Sequence, residues 1–178
     1  VRDRGDGTYE ASFLVPPIDS EQSVRVVVSG QDRAANVAER SVDIALRRLS
    51  KYGGSVASAN DQATLNIPEA DAGPGRLAVL YRFGEEDRPE GSGDDPGMLI
   101  SVTLAGAPDL KAPMTLNLFA GSRAADPVTG IERWNPVTGM WEDIPTAIDA
   151  GTGWLSAAIR TSGVYRIGQV EPENRRPA

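Results

Sequence analysis

Carboxylates and hydroxyls are the main side chains with which this chain could do chemistry, because its 178 residues include neither histidine nor cysteine. That composition excludes Ser-His-Asp triads, imidazole metal sites and thiolate zinc sites within the chain. Lys51 and Lys111 add two amines. A glycosidase needs paired carboxylates, and aromatic rings beside them would suit sugar stacking. Residues 131–145, IERWNPVTGMWEDIP, contain both.

The carboxylates of that segment are Glu132, Glu142 and Asp143. Glu142 and Asp143 are adjacent, and neighbouring residues of a strand point to opposite faces of its sheet. These two groups therefore cannot converge on one glycosidic bond. We expect no catalytic residue and no cofactor-binding residue in this chain.

Three tryptophans lie near turns in the same region: Trp134, Trp141 and Trp154. Exposed aromatic rings could stack on the sugar rings of a glycan, which makes these residues candidate ligand contacts. Packing in a core or across a hairpin is the more common role of such rings. Trp134 and Trp141 flank an NPVTG turn at a spacing that allows them to pair, so packing is the favoured interpretation.

Charge and hydropathy limit the partners of this chain. Its net charge of −7 disfavours nucleic acid and anionic membranes. No run of about 18 apolar residues could cross a bilayer. The chain opens at Val1 rather than at a methionine, which predicts a piece of a longer protein.

Apolar and polar residues alternate along most of the chain, which is the pattern of strands with one buried face. The first predicted strand has Tyr9, Phe13 and Val15 on one face. Further strands are predicted around Val56 and at residues 23–32, 37–46, 63–67, 76–83, 98–106 and 114–121. Residues 131–168 hold short alternating runs separated by turn residues, which predicts a β-meander.

The first part of the chain carries the motif DGTY at residues 6–9, a valine-rich strand, and the pattern D-x-A-x-N at residues 32–36. Residues 1–46 resemble on these grounds the end of a bacterial extracellular Ig-like repeat. Half a sandwich cannot bury both of its sheets alone. The resemblance therefore implies that the missing strands come from another chain or from upstream polypeptide, or are replaced by packing on the rest of this chain.

The second part resembles the ankyrin- and netrin-receptor-type β-sandwich domain over residues 53–168. The pieces that carry the resemblance are GGSV (53–56), ATLNIP (63–68), LNLF (116–119), the tryptophan-marked segment (131–159) and SGVYRIG (162–168). Some members of that family cleave themselves when a serine attacks the preceding carbonyl with help from a histidine. The matching stretch here is Thr161-Ser162-Gly163, without a histidine and with Gly163 at the nucleophile position, so we expect no self-cleavage.

Candidate metal ligands are Asp3, Asp6 and Asp32, because Ig-like repeats stiffen their junctions with calcium held by oxygen ligands. The alternative is local turn chemistry, in which Asp6 caps an Asp-Gly turn and Asp32 starts another. The acidic loop at residues 84–97 lacks the D-x-D-x-D-G pattern and is expected to be solvated. No bound metal is the favoured expectation, with Ca²⁺ as the alternative.

The predicted fold class is all-β, with tandem β-sandwiches of which the first is an incomplete Ig-like unit. Residues 1–47 form the first unit, residues 48–170 the second, and residues 171–178 a polar tail. Residues 47–52 are predicted to be a linker, and a short helix over residues 43–51 is the alternative.

These observations predict a non-catalytic structural or interaction module, located outside the cell or at its surface, of a larger secreted bacterial protein. It would act as a spacer, an adhesion region or an accessory region. Its expected partners are neighbouring domains of the same polypeptide, or another chain that completes the first sandwich. One alternative is a carbohydrate-binding accessory domain of a secreted hydrolase, with a polysaccharide as partner. A third interpretation is an autoproteolytic domain.

Overall fold

The structure is a computed structural model that describes residues 2–3, 9–10, 22–31, 34–48, 52–58, 61–69, 77–83, 98–105, 111–171 and 174–177. These residues form fifteen strands and a short 3₁₀ helix, Gly121–Ala125. The predicted all-β class is therefore confirmed. Within these ranges, no helix has the length and apolar character needed to cross a membrane.

The strands agree closely with the alternating pattern of the sequence; the predicted strand at residues 63–67, for example, has the bounds of β6. Of the first predicted strand, Phe13 and Val15 lie outside the described residues. The strands are β1 (Arg2–Asp3), β2 (Tyr9–Glu10), β3 (Gln22–Gln31), β4 (Val37–Arg48), β5 (Gly54–Ala57), β6 (Ala63–Ile67), β7 (Leu77–Arg82), β8 (Leu99–Ala105), β9 (Met114–Phe119), β10 (Thr129–Asn135), β11 (Met140–Ile144), β12 (Thr146–Asp149), β13 (Trp154–Ile159), β14 (Gly163–Gln169) and β15 (Arg175–Pro177).

Two large sheets and one two-stranded pair, β1 with β2, account for the described strands. The seven-stranded sheet has the order β11-β10-β14-β8-β7-β4-β3, and the six-stranded sheet has the order β15-β12-β13-β9-β6-β5. Neighbouring strands are antiparallel throughout, except that β12 and β15 are parallel. Antiparallel sheets can bury one face and expose the other, and the two large sheets pack face to face.

The core fills the space between the two large sheets. In β9, Leu116 and Leu118 are fully buried while Thr115 is exposed, as the period of a strand requires. We call the core-facing side of the seven-stranded sheet its inner face and the opposite side its outer face. Met98, Ala124 and residues of both sheets make up the core cluster, and the sheet residues are Ala45, Val56, Ala63, Leu65, Ile67, Ala78, Leu80, Ile100, Val102, Leu104, Met114, Leu116, Leu118, Ile131, Leu155, Ala157, Ile159, Tyr165 and Ile167.

The predicted meander at residues 131–168 is wrong in one respect, because its strands belong to different sheets. The hairpin β10–β11 lies in the seven-stranded sheet, the hairpin β12–β13 in the six-stranded sheet, and β14 returns beside β10. The first crossing occurs at Pro145, which has no N–H to continue a ladder. The next residue, Thr146, is fully buried. Its hydroxyl donates to the carbonyl of Ile144 and accepts from the N–H of Ile131.

The predicted linker at residues 47–52 is wrong for its first two residues, and the alternative helix is wrong for residues 43–48. β4 runs without interruption to Arg48 and pairs with β7. Arg47 donates from Nη1 to the carbonyl of Ser55 in β5, at 2.7 Å, so it joins β4 of the seven-stranded sheet to the outermost strand β5 of the six-stranded sheet. The division of the chain at residues 47 and 48 stays a prediction, and strands on both sides of it share the seven-stranded sheet.

The predicted polar tail also contributes to the sandwich. Residues 175–177 form β15, which pairs with β12 at one edge of the six-stranded sheet. Before it, the N–H of Val170 donates to the carbonyl of Val128 at 2.7 Å, and Val170 is buried. The segment after β14 is therefore tied to both sheets.

Replacing Leu116 with alanine should destabilise the fold by about 2–5 kcal/mol, because Leu116 is fully buried between the sheets and alanine would leave a cavity. The matched control is Thr115→Ala on the exposed side of the same strand, which should cost less than about 1 kcal/mol. Urea unfolding of the two variants measures both effects. Equal losses would contradict the assignment of the faces of β9.

Candidate functional site

The hairpin β10–β11 brings together the aromatic and acidic residues that the sequence singles out. Its turn is built by Asn135, whose Oδ1 accepts from the N–H groups of Val137 and Thr138 at 2.9 and 3.3 Å. Gly139 closes the turn at a φ of 66°, which glycine adopts without steric cost. The PVTG motif is therefore local turn chemistry.

Trp134 and Trp141 are direct partners across this hairpin. Their ring centroids are 5.2 Å apart and their planes meet at 58°, which is a tilted aromatic contact of a favourable kind. The predicted pairing is confirmed. Both rings are partly buried, and two rings at this angle do not form one flat platform for a sugar ring.

Arg166 of β14 covers Trp141 on the outer face. Its guanidinium carbon lies 4.2 Å from the centroid of the indole ring, within the range of a cation–π contact. The same guanidinium donates from Nε to Oε2 of Glu132 at 2.7 Å. The two side chains are only 17% and 7% exposed, so water screens the pair weakly and each charge depends on the other.

Gly168 makes room for this ion pair. It lies next to Glu132 on the adjacent strand, and a Cβ at position 168 would collide with Oε2 of Glu132. Its cross-strand partner Gly130 has a similar function, because a Cβ there would collide with the side chain of Val170. Glycine is thus required at both positions, because the side chains of Glu132 and Val170 lie too close to the backbone to leave room for a Cβ atom.

A second polar network occupies the end of the inner face. Glu142 accepts from Nη2 of Arg133 at 2.8 Å and from Nδ2 of Asn135 at 2.6 Å. Arg133 also donates from Nη1 to Oγ1 of Thr161 at 3.1 Å. The hydrogen bond from Asn135, followed by that from Arg133, holds the pKa of Glu142 below its usual range. The network connects β10, β11 and the connection between β13 and β14.

Asp143 holds the segment that follows β14. Its Oδ2 accepts from the N–H of Glu171 at 2.8 Å and from Nδ2 of Asn174 at 3.2 Å. Asp143 lies opposite Glu132 in the register of the hairpin. Each of the two carboxylates has its own donors, which offset the repulsion between them.

The three candidate carboxylates therefore have separate structural partners. Glu132 bonds to Arg166, Glu142 to Arg133 and Asn135, and Asp143 to the C-terminal segment. Glu142 and Asp143 lie on opposite faces of β11, as their adjacency requires. Chemically, the arrangement provides charge-assisted hydrogen bonds between strands.

Two hydrogen bonds fix the stretch Thr161-Ser162-Gly163, one to Leu104 and one to Tyr165. Oγ of Ser162 accepts from the N–H of Leu104 at 3.0 Å. The hydroxyl of Tyr165 donates to the carbonyl of Thr161, four residues upstream, at 2.6 Å. This is the geometry of the tyrosine corner of β-sandwiches. Burial raises the pKa of Tyr165, so the phenol stays protonated and continues to donate.

Trp154 lies away from the other two tryptophans. It is in β13 of the six-stranded sheet and packs against Phe119, with centroids 5.4 Å apart. Both residues lie on the side of that sheet that faces away from the core, because their strand neighbours Leu118 and Leu155 are buried in it. The three tryptophans therefore lie on opposite surfaces of the sandwich and cannot contact one small ligand together.

Of the candidate calcium ligands, Asp6 and Asp32 lie outside the described residues, and Asp3 is in β1 without a described side chain. Across the described ranges, no three acidic residues come close enough together to hold a metal ion. The calcium hypothesis stays a prediction of the sequence.

Two cavities open beside the inner polar network and share Arg133 and Thr161. One has a volume of about 280 Å³ and lies between Glu142, Ile144 and Arg160; the other has a volume of about 350 Å³ and includes Trp134. Arg133 and Glu142 bond to each other at the boundary of the first cavity. These two charged groups of its lining are thus already engaged within the protein.

No known protein family matches this chain, and no curated protein matches it significantly in sequence. The resemblances to an Ig-like repeat and to the ankyrin- and netrin-receptor-type domain stay predictions.

Sequence reasoning missed Arg166 and Tyr165 as parts of this site. The alternation in GVYRIG does place Tyr165 and Arg166 on opposite faces of a strand. It does not show that β14 lies beside β10, and only that neighbour relation brings Arg166 to Glu132, 34 residues earlier in the chain.

Replacing Arg166 with methionine should cost about 3–5 kcal/mol, because it leaves the Glu132 carboxylate buried without its partner. The double variant Glu132→Gln/Arg166→Met should recover at least about 1 kcal/mol of the summed single losses. The control is the same cycle at Arg25 and Asp43, whose side chains are 66% and 42% exposed and whose coupling should be much smaller. Chemical unfolding measures all the variants. Equal coupling in the two cycles would contradict the role assigned to burial.

Glu142 should contribute to the fall of stability in acid. Because its pKa is lowered by folding, its contribution is complete above the pKa of the unfolded chain and is lost as pH falls through the folded value. The stability difference between the native chain and Glu142→Gln should therefore be largest near neutral pH and shrink in acid. Glu69→Gln, at an exposed position, is the control. Thermal melting from pH 7 to pH 3 tests this, and a difference that grows in acid would contradict it.

Proposed function

We propose that this chain is a non-catalytic structural or interaction module of a larger secreted or cell-surface bacterial protein. The main observation in support of this proposal is that the candidate carboxylates form hydrogen bonds within the fold. In the hairpin β10–β11, where acidic and aromatic residues meet, each carboxylate bonds to a donor on another strand or on the C-terminal segment. These bonds join strands of the sandwich to each other and to the segment after β14, although Glu142 and Asp143 also line the cavity of about 280 Å³.

Two further features support a structural role. Arg166 and Glu132 lie in contact with Trp141 and with each other at low exposure, so the outer face at this end is rigidly packed. The hydroxyls of Tyr165 and Ser162 fix the connection into β14. A self-cleaving module needs a nucleophile and a base at this connection, and the chain contains no histidine.

Carbohydrate binding is the second candidate, and one observation favours it. Trp134 lines the cavity of about 350 Å³ together with Arg133, Asn135 and Ser162. An aromatic ring beside polar side chains is a suitable surface for a sugar. If this chain binds glycans, the contact is expected at Trp134 and not at Trp154, which lies on the other side of the sandwich.

Affinity electrophoresis through gels that contain soluble polysaccharides tests the two candidates. The structural role predicts that none of a panel of neutral and acidic polysaccharides slows the protein. It also predicts that intact-mass measurement after long incubation finds one uncleaved species. Trp134→Ala and Trp154→Ala form a matched pair, since each removes one partly buried indole from an opposite surface.

Retardation that Trp134→Ala abolishes and Trp154→Ala keeps would replace the structural proposal with the carbohydrate-binding one. Two fragments that meet between Thr161 and Gly163 would instead establish self-cleavage. Retardation equal in all three proteins would exclude a site at Trp134 and show weak surface adsorption.

A further inference from the structure

The cavity of about 280 Å³ beside the inner polar network has a lining of two parts. The apolar part comes from the crossing between β11 and β12 and from the end of β13, and it consists of Ile144, Pro145, Ala158 and Ile159. The polar part consists of Arg133, Glu142, Asp143, Arg160, Thr161 and Tyr165. An apolar wall joined to a few polar groups is the common form of a small-molecule site.

Most polar side chains of this lining are engaged within the protein. Arg133 donates to Glu142 and to Thr161, and Asp143 accepts from the segment after β14. The hydroxyl of Tyr165 donates to the carbonyl of Thr161. A ligand that leaves the fold intact must therefore use the polar groups that remain.

The polar groups that remain are donors. Arg160 is exposed, and its guanidinium makes no hydrogen bond or ion pair with another residue of the described ranges. A guanidinium carries five N–H donors and no acceptor. Oγ1 of Thr161 accepts from Arg133, and its O–H has no acceptor within the same ranges. Because these two neighbouring residues offer donors and one of them is a cation, the group that suits them is a carboxylate or a similar anion.

The apolar wall limits the rest of the ligand. Ile159 is buried and Ile144 is partly buried, so a branched aliphatic tail could cover the apolar surface that they leave at the cavity. The share of liquid volume of one water molecule is about 30 Å³, so the cavity of about 280 Å³ has room for roughly nine non-hydrogen atoms. That size suits a carboxylate with a short tail and excludes a long acyl chain.

We propose that this cavity binds a carboxylate with a short branched apolar tail, with the carboxylate at Arg160 and Thr161 and the tail on Ile144 and Ile159. A free aliphatic acid and the C-terminus of a peptide that ends in leucine share this chemistry. The site lies beyond the proposed function, which assigns no ligand to the cavity. The hydrogen bonds of the inner polar network stay in place when it is filled.

Amide chemical shifts of nitrogen-15-labelled protein test the proposal with two matched probes, isocaproate and its neutral amide. Isocaproate has the leucine skeleton without the amino group and is ionised at pH 7, as carboxyl groups are. It should shift the amide signals of Ile144, Ile159, Arg160 and Thr161, with a dissociation constant in the millimolar range because it has so few atoms. The amide has nearly the same shape without the charge and should bind at least about tenfold more weakly.

Arg160→Met removes the charge and keeps most of the apolar stem, so it should weaken isocaproate binding about tenfold and affect the amide less. Arg123→Met is the matched control, because it removes one exposed arginine that does not line the cavity. It should leave the binding of both probes unchanged. Melting temperatures verify that the two variants fold.

The peptide N-acetyl-Ala-Ala-Leu and its C-terminal amide distinguish the two sources of the carboxylate. Tighter binding of the peptide acid than of isocaproate, lost on amidation, identifies a chain terminus as the ligand, and binding of isocaproate alone identifies a free acid. Equal binding of isocaproate and its amide, equal effects of Arg160→Met and Arg123→Met, or no shift of these signals at about 50 mM of any probe would overturn the proposal. The polysaccharide and intact-mass experiments remain the separate tests of the proposed function.

Discussion

The structure depends on the burial of two alternating apolar faces against each other. Each large aliphatic side chain removed from water contributes on the order of 1.5–3 kcal/mol, and a shift of one residue in a strand would turn its whole apolar set outward. This requirement decides where polar groups can lie. In β10, Ile131 is fully buried, whereas Arg133, two residues further on the same face, is only partly buried. The inner polar network is therefore found at the end of the sandwich, where the apolar layer stops.

The crossing at Thr146 shows how the chain maintains this packing while it changes sheets. A strand that leaves its sheet gives up ladder hydrogen bonds, and buried backbone groups must find other partners. The hydroxyl of Thr146 supplies them, because it donates to Ile144 and accepts from Ile131. The crossing also separates the tryptophans. Trp141 precedes it and Trp154 follows it, so residues that are close in sequence lie on opposite surfaces.

Local features were predictable from the sequence, and relations between distant strands were not. The bounds of β6 and the approximate extents of β8 and β9 follow from period two, and the contact of Trp134 with Trp141 follows from one short hairpin. The order of the strands has no such local signal, so the partnership of Arg166 with Glu132 was out of reach. The predicted linker at residues 47–52 is an error of another kind, because for its first two residues a feature was predicted that the structure does not have. Their charged composition is typical of a linker, but Arg47 bonds to a carbonyl at the edge of β5, and composition does not reveal such a contact.

The edges of the two large sheets differ in how they are stabilised. At β5, Arg47 satisfies the carbonyl of Ser55. At the opposite end, Asp143 of β11 binds the segment that leads to β15. At β5 a charged side chain thus occupies a backbone acceptor that another strand could otherwise use, whereas at β11 it binds a second segment of the chain to the edge strand. On β3 the charged side chain bonds across the β3–β4 pair to Asp43, and β4 is the strand that pairs with β3 among the described residues. β5 and β11 are thus held by bonds to other segments of the chain, whereas the described polar contact of β3 lies within the β3–β4 pair.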